Sequence, residues 1–246
     1  MSEREPEEVA DGVFLVSSGP VNWTLLVDGD AITVVDTGFP TQFTEVEGSI
    51  RAVGRDPRAI ETVLITHAHV DHLGCAQQLS QNHGTPVLVH PDELAHARGQ
   101  VHESVTPARV VANLWRPGAL GWISSIRRLG VTSHARVDQP QPFPTPGALD
   151  CPGHPVPVPT PGHTSGHTAF YLPQHGVVIT GDALVTGHAI SRRTGPQLLP
   201  GLFHHDRAAA TESLHTFAAL DADTVLPGHG AAHRGHIADA VANLLG

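Results

Sequence analysis

The chain has 246 residues, 40% hydrophobic and 15% charged, with 25 Gly and 21 Pro. That length builds one large domain or two small ones, and the composition excludes wholesale disorder and collagen-like repeats. The 14 basic residues, all Arg, face 24 acids for a net charge of −10, and aromatics make up only 4%, so the chain has neither the positive field nor the stacking platforms of a nucleic-acid binder.

Histidine is the outlier, with 19 against 2 Cys and 1 Met. It is the commonest metal ligand among side chains, so metal chemistry is the first expectation. No apolar run approaches the length of a membrane-spanning helix. Residues 1–10 carry Glu3, Glu5, Glu7 and Glu8, which reads as a frayed acidic start and not a secretory signal. Cys75 and Cys151 do not make a disulfide framework. A soluble cytoplasmic protein that engages neither membrane nor nucleic acid is expected.

In chain order, β-type runs at Val13–Val16, Trp23–Val27 and Ile32–Val35 are separated by Gly-containing turn signals. A helix is predicted over Thr41–Val53 and a buried strand over Thr62–Thr66, ending in His67. A second helix spans Leu73–Asn82, and a strand Pro86–Val89. Residues 91–138 turn helical and mixed, an insertion read as a cap. Nine prolines between 139 and 161 exclude helix and central strand, leaving an extended linker or edge strand. Strands return at Thr168–Leu172, Val177–Thr180 and Thr224–Leu226, with helices over Asp206–Leu220 and His236–Leu245. Two β-rich halves with helices outside make a layered α/β arrangement.

The dense cluster is Thr66-His67-Ala68-His69-Val70-Asp71-His72, where a strand gives way to a helix. A spacing of two puts His67 and His69 on one side of an extended segment, and Asp71 and His72 can turn to a second point close by. Three further strand-to-loop junctions each end in a ligand type beside Gly: His163 in Thr160–His167, Asp182 after Val177–Gly181, and His229 in Pro227-Gly228-His229-Gly230. Together they offer seven ligands: His67, His69, Asp71, His72, His163, Asp182 and His229. Imidazole and carboxylate without thiolate suit zinc, with iron or manganese compatible. Cys75, just after the metal loop, is read as a core residue.

With HAHVDH, PGHTSGH, GD and PGHG in this order, the chain resembles the metallo-β-lactamase superfamily, and within it the glyoxalase II-like dinuclear hydrolases. The resemblance runs from about residue 12 to residue 245 and implies a single domain, a four-layer αββα sandwich with the 91–138 helical cap inserted. It implies that His67, His69 and His163 hold one zinc, that Asp71, His72 and His229 hold a second, and that Asp182 bridges them. Asp36, in Val35-Asp36-Thr37-Gly38, would orient a ligand imidazole, and His167 would support the site. Trp115, Trp122, His188 and His204 are candidates to line the substrate pocket. His205 lies in the same stretch as His188 and His204, where the superfamily often places substrate-facing loops, whereas His83, His90, His96, His102, His134, His154, His175, His215, His233 and His236 match no family position. Arg192 and Arg193 are read as a solvated basic face.

The expected reaction is hydrolysis of a thioester, ester or lactone by a metal-bridging hydroxide, with Asp71 and Asp182 as the catalytic carboxylates and a small acyl molecule as substrate. A mononuclear iron persulfide dioxygenase shares much of the ligand pattern, but Ser191-Arg192-Arg193-Thr194-Gly195 only distantly echoes the segment typical of those enzymes. β-Lactam hydrolysis ranks lower, because β-lactamases of the superfamily generally lack the bridging Asp. Oligomeric state is not encoded in any motif here.

Overall fold

The computed structural model describes residues 5–103, 105–133, 135–144 and 146–246; Glu3 and His134 lie outside them. Strands β1 (Glu7–Ala10), β2 (Val13–Ser18), β3 (Val21–Asp28) and β4 (Ala31–Val35) form an antiparallel meander. Helix α1 (Phe43–Ala52) leads to β5 (Ile60–Leu64), and α2 (Val70–Leu73) and α3 (Ala76–His83) lead to β6 (Val87–Val89). Helices α4 (Leu94–Ala97), α5 (Pro107–Val111) and α6 (Ala119–Arg128) precede β7 (Gln141–Pro142). From β4 to β7 the pairing is parallel, and the seven strands stand in sequence order.

A second sheet of five strands has the order β12-β11-β10-β9-β8. It is built from β8 (Val156–Pro159), β9 (Thr168–Leu172), β10 (Val177–Gly181), β11 (Thr224–Pro227) and β12 (His233–Arg234). Helix α7 (Arg207–Ala218) joins β10 to β11, and α8 (Ile237–Leu245) follows β12.

Residue alternation explains the layering. Along β3, β4 and β5, Leu25, Val34 and Val63 pack outward under α1 and α3, while Leu26, Val35 and Leu64 face the second sheet. From the other side Phe170, Leu172, Ile179 and Leu226 meet them, and Val178 and Val225 turn to α7 and α8. A sheet apolar on both faces must be covered on both faces, and each fully buried Leu or Val contributes about 1.5–3 kcal/mol. The result is the expected αββα sandwich. A smaller cluster of Val21, Phe39 and Ile126, joined by Trp122 and Val131, seats α6 against the body.

The proline-rich stretch supplies both edges: β7 ends the first sheet and β8 the second, where a missing N–H costs no ladder bond. Two expectations are corrected. The acidic start is ordered from Glu7, because β1 pairs with β2. The helix expected over Leu73–Asn82 is split at Gly74 and Cys75, since a Cβ at Gly74 would lie 2.3 Å from the Gly38 carbonyl oxygen, and the Cys75 amide donates to Thr37 Oγ1 (3.1 Å). Among the described residues no helix is long and apolar enough to cross a membrane.

Both cysteines are buried and unpaired. The Cys75 thiol donates to the Phe39 carbonyl (3.0 Å), and burial pushes its pKa up to about 12. Cys151 is pushed up for the same reason. Thiolate is the reactive form, so a thiol-disulfide reagent at about pH 8 should label neither cysteine in the folded protein and both after denaturation. Rapid labelling of the native protein would contradict this core packing.

Candidate metal centre

The ligand types gather where strands of both sheets end. His67, His69, Asp71 and His72 follow β5, His163 lies in the turn between β8 and β9, Asp182 follows β10, and His229 follows β11. One donor atom each from His67, His69 and His163 lies within 4.8 Å of the others, and the same holds for Asp71, His72 and His229. Asp182 stands between these groups. Its Oδ2 is 3.3 Å from His229 Nε2, 3.4 Å from His163 Nε2 and 3.9 Å from His67 Nε2, while Oδ1 is 3.4 Å from His72 Nε2. All seven sequence-predicted ligands are therefore brought to one place.

Outward hydrogen bonds fix which nitrogen faces inward in four of the five ligand rings, those of His67, His69, His72 and His229. His72 Nδ1 lies 2.8 Å from Asp36 Oδ2. That same oxygen accepts from the Thr66 hydroxyl (2.8 Å), and the hydroxyl in turn lies 3.0 Å from His67 Nδ1. Asp36 Oδ1 accepts from the Thr66 amide (2.8 Å). One carboxylate thus orients two imidazoles, one directly and one through a hydroxyl. Asp36 holds a left-handed φ of 62°, a conformation that costs energy outside glycine and that Asp tolerates better than most.

His69 Nε2 meets the Glu103 carbonyl (3.3 Å), leaving Nδ1 facing His163 Nε2 at 2.9 Å. His229 Nδ1 donates to the Pro20 carbonyl, and Asn22 holds the same loop by donating to the Pro227 (2.8 Å) and Gly230 (2.7 Å) carbonyls. His167 accepts from the Asp182 amide at Nε2 (3.1 Å) and faces Thr160 Oγ1 with Nδ1 (2.8 Å). Burial lowers its pKa to about 4, so it stays neutral and fixes the start of the Asp182 loop. Gly228 is required by space, since a Cβ there would lie 2.5 Å from Asp182 Oδ1.

Burial, reinforced by neighbouring imidazoles, holds His67 and His163 well below the usual histidine range. Burial acts the same way on His72 and His229, but adjacent carboxylates outweigh it and raise both. Burial would raise Asp182, yet His229 and His72 keep it well below the usual carboxylate range. The inward atoms His67 Nε2, His72 Nε2 and Asp182 Oδ1 are buried without a hydrogen-bond partner. Orphaned polar atoms of this kind are costly, and a divalent cation is the species that satisfies lone pairs converging from imidazole and carboxylate. The donor set fits a divalent metal site.

The family model described as "Metallo-beta-lactamase superfamily" matches residues 16–229. The chain belongs to this superfamily. Among curated relatives it is similar to the "Probable metallo-hydrolase YflN" of Bacillus subtilis, 23% identical over 206 residues, covering 81% of this chain and 75% of that one. Among solved structures it is similar to the metallo-beta-lactamase family protein TTHA1429 of Thermus thermophilus, with TM-score 0.65, 25% identity, and 96% and 79% coverage. The Rm3 metallo-beta-lactamase shares the fold alone, with TM-score 0.69, 16% identity, and 98% and 91% coverage.

In this metallo-β-lactamase-superfamily chain the four pocket candidates take different places. Trp122 lines the cavity beside Asp71 and His229. Trp115 does not: it is 74% exposed, with the Arg116 guanidinium over its ring. His188 packs between the rings of Trp122, Phe203 and His229, and the Ile190 amide donates to its Nδ1 (3.3 Å). His204 is buried edge-on to His163 and meets the Leu199 carbonyl through Nε2 (3.1 Å), so it buttresses a ligand from behind.

Two carboxylates from the 91–138 insertion were absent from the sequence reading. Glu93, 1% exposed, accepts from the Ala68 amide (2.8 Å), between His67 and His69, and from the Gly166 amide (3.0 Å), beside His167 in the His163 loop. Burial would raise it, but the His96 imidazole, with Nδ1 3.3 Å from Oε2, and the backbone amides hold it at about 2. Glu103 accepts from the Ser165 amide (2.7 Å) and hydroxyl (2.6 Å). The one sequence signal was His96 at i+3 from Glu93, too common a spacing to single out.

Losing a group that orients a metal ligand costs about 10–100-fold in metal affinity. Asp36→Ala should show that loss by competition with a chromophoric chelator, and unchanged affinity would reduce Asp36 to a turn residue. Glu93→Gln, which puts an amide donor against one of the two N–H groups now bound, should weaken one metal equivalent by a similar factor. Equal weakening of every equivalent would contradict a role confined to the His67, His69 and His163 loops.

Proposed function

We propose that the protein is a dinuclear zinc-dependent hydrolase of an ester, thioester or lactone, acting on a small acyl molecule. The observation that carries it is the pair of three-ligand groups sharing Asp182, whose two oxygens face both groups. Two cations so held supply Lewis acidity and a deprotonated water near neutral pH. The net reaction adds water across the acyl–oxygen or acyl–sulfur bond, releasing a carboxylic acid and an alcohol or thiol.

In this reading His67, His69 and His163 hold one cation and Asp71, His72 and His229 the other. Asp36, Thr66 and the Pro20 carbonyl keep the rings aimed inward, so little reorganisation accompanies the reaction. Asp71 is the ligand on the open side, where it lines the cavity, and it is the carboxylate placed to pass a proton to the departing group. The donation from the Ile190 amide leaves His188 its proton on Nε2, a donor beside Trp122 for orienting substrate. Two free buried thiols suit a reducing compartment such as the cytoplasm.

Asp182→Asn should remove the shared ligand, lower the metal content and reduce hydrolysis of a thioester, lactone and aryl ester panel. The loss should exceed the roughly 100-fold expected of a residue that only orients a ligand. Near-normal turnover with full metal content would overturn the mechanism.

A further inference from the structure

The cavity beside the metal centre has a character that hydrolysis alone does not require. It encloses about 710 Å³ next to Asp71 and His229, enough to take most of a small ligand. The wall supplied by α5, α6 and the loop between them is apolar, with Val110, Leu114, Trp122, Ile123 and Ile126 facing the space. Val111 and Leu120 also line it and are 64% and 71% exposed. Contiguous apolar surface left wet in this way marks a binding site more often than an accident of folding.

Charge sharpens the picture. Apart from Asp71 and His229, Arg127 is the ionisable residue lining the cavity, and among the described residues no carboxylate pairs with it. Residues 105–133 hold Arg109, Arg116, Arg127 and Arg128 and no Asp or Glu, a local +4 in a chain of net −10. Of these four only Arg127 faces the cavity, and a cation without a carboxylate partner on an apolar wall, in a segment free of acids, draws anions to that wall.

We propose that the cleft takes an anionic amphiphile, an ester or thioester whose apolar acyl arm lies along the α5–α6 wall and whose anionic group pairs with Arg127. The reaction part rests on the hydrolase reading, whereas the binding part does not. A short anion would leave Ile123 and Leu114 wet, and a neutral apolar ester would forgo Arg127.

The test is titration calorimetry of the metal-loaded protein with butanesulfonate and decanesulfonate, alongside hydrolysis of S-acyl mercaptopropanoates from acetyl to decanoyl. Each added methylene is worth about three- to fourfold when fully buried. Decanesulfonate should therefore bind at least about 100-fold more tightly than butanesulfonate, and kcat/KM should climb with chain length. Arg127→Glu should weaken decanesulfonate at least about tenfold, and Ile123→Trp should abolish the chain-length preference, both with unchanged metal content. Binding of decanesulfonate without hydrolysis of any thioester would uphold the cleft assignment and remove the hydrolase reading. Hydrolysis of acetyl thioesters with no chain-length dependence and no sulfonate binding would overturn the proposal and leave that reading standing. Binding to phosphatidylglycerol vesicles with none to monomeric decanesulfonate would also overturn it, making the wall a membrane contact.

Discussion

Asp36 is the constraint on which the site depends. A single buried carboxylate accepts from the Thr66 amide and hydroxyl and pairs with His72, and through that hydroxyl it also orients His67. Its left-handed backbone sits at the end of the parallel β4–β5 pair, where the Asp36 amide donates to the Leu64 carbonyl (2.8 Å). The inward nitrogens gathered around Asp182 would repel or lie unsatisfied without a cation. The sandwich supplies the rigidity that holds them there.

The second sheet completes the centre by the same device, a strand end followed by Gly and a ligand. Gly181 and Gly228 let β10 and β11 bring Asp182 and His229 close to His72, with contacts too short for any larger residue. The insertion between β6 and β7 has two roles. Near its start Glu93 and Glu103 clip the ligand loops together, and further on α5 and α6 form the apolar wall of the cleft. Support for the ligand loops and the apolar wall thus come from one segment, so changes in the wall can propagate to the ligands through a short stretch of chain.

Much of this was legible in the sequence. Ligands at strand ends were readable because the chemistry demands particular residue types and the local backbone dictates their spacing. The proline-rich edges were readable because proline cannot serve a central ladder. Glu93 was not, because a glutamate in the turn after a strand looks solvated until the tertiary fold buries it against two amides. Trp115 misled for the converse reason: an aromatic in a cap reads as pocket lining, yet this one faces solvent beside Arg116. The split between α2 and α3 depended on how closely the 38–40 backbone approaches Gly74, a distance that no local pattern encodes.

The central claim, that the two ligand groups sharing Asp182 form a dinuclear centre, is tested most directly by elemental analysis of untagged protein purified without chelator. The account predicts two zinc ions per chain. One iron per chain would contradict it and favour oxygen chemistry at a mononuclear site, and a protein that carries no metal and takes up none on titration would remove the metal centre altogether.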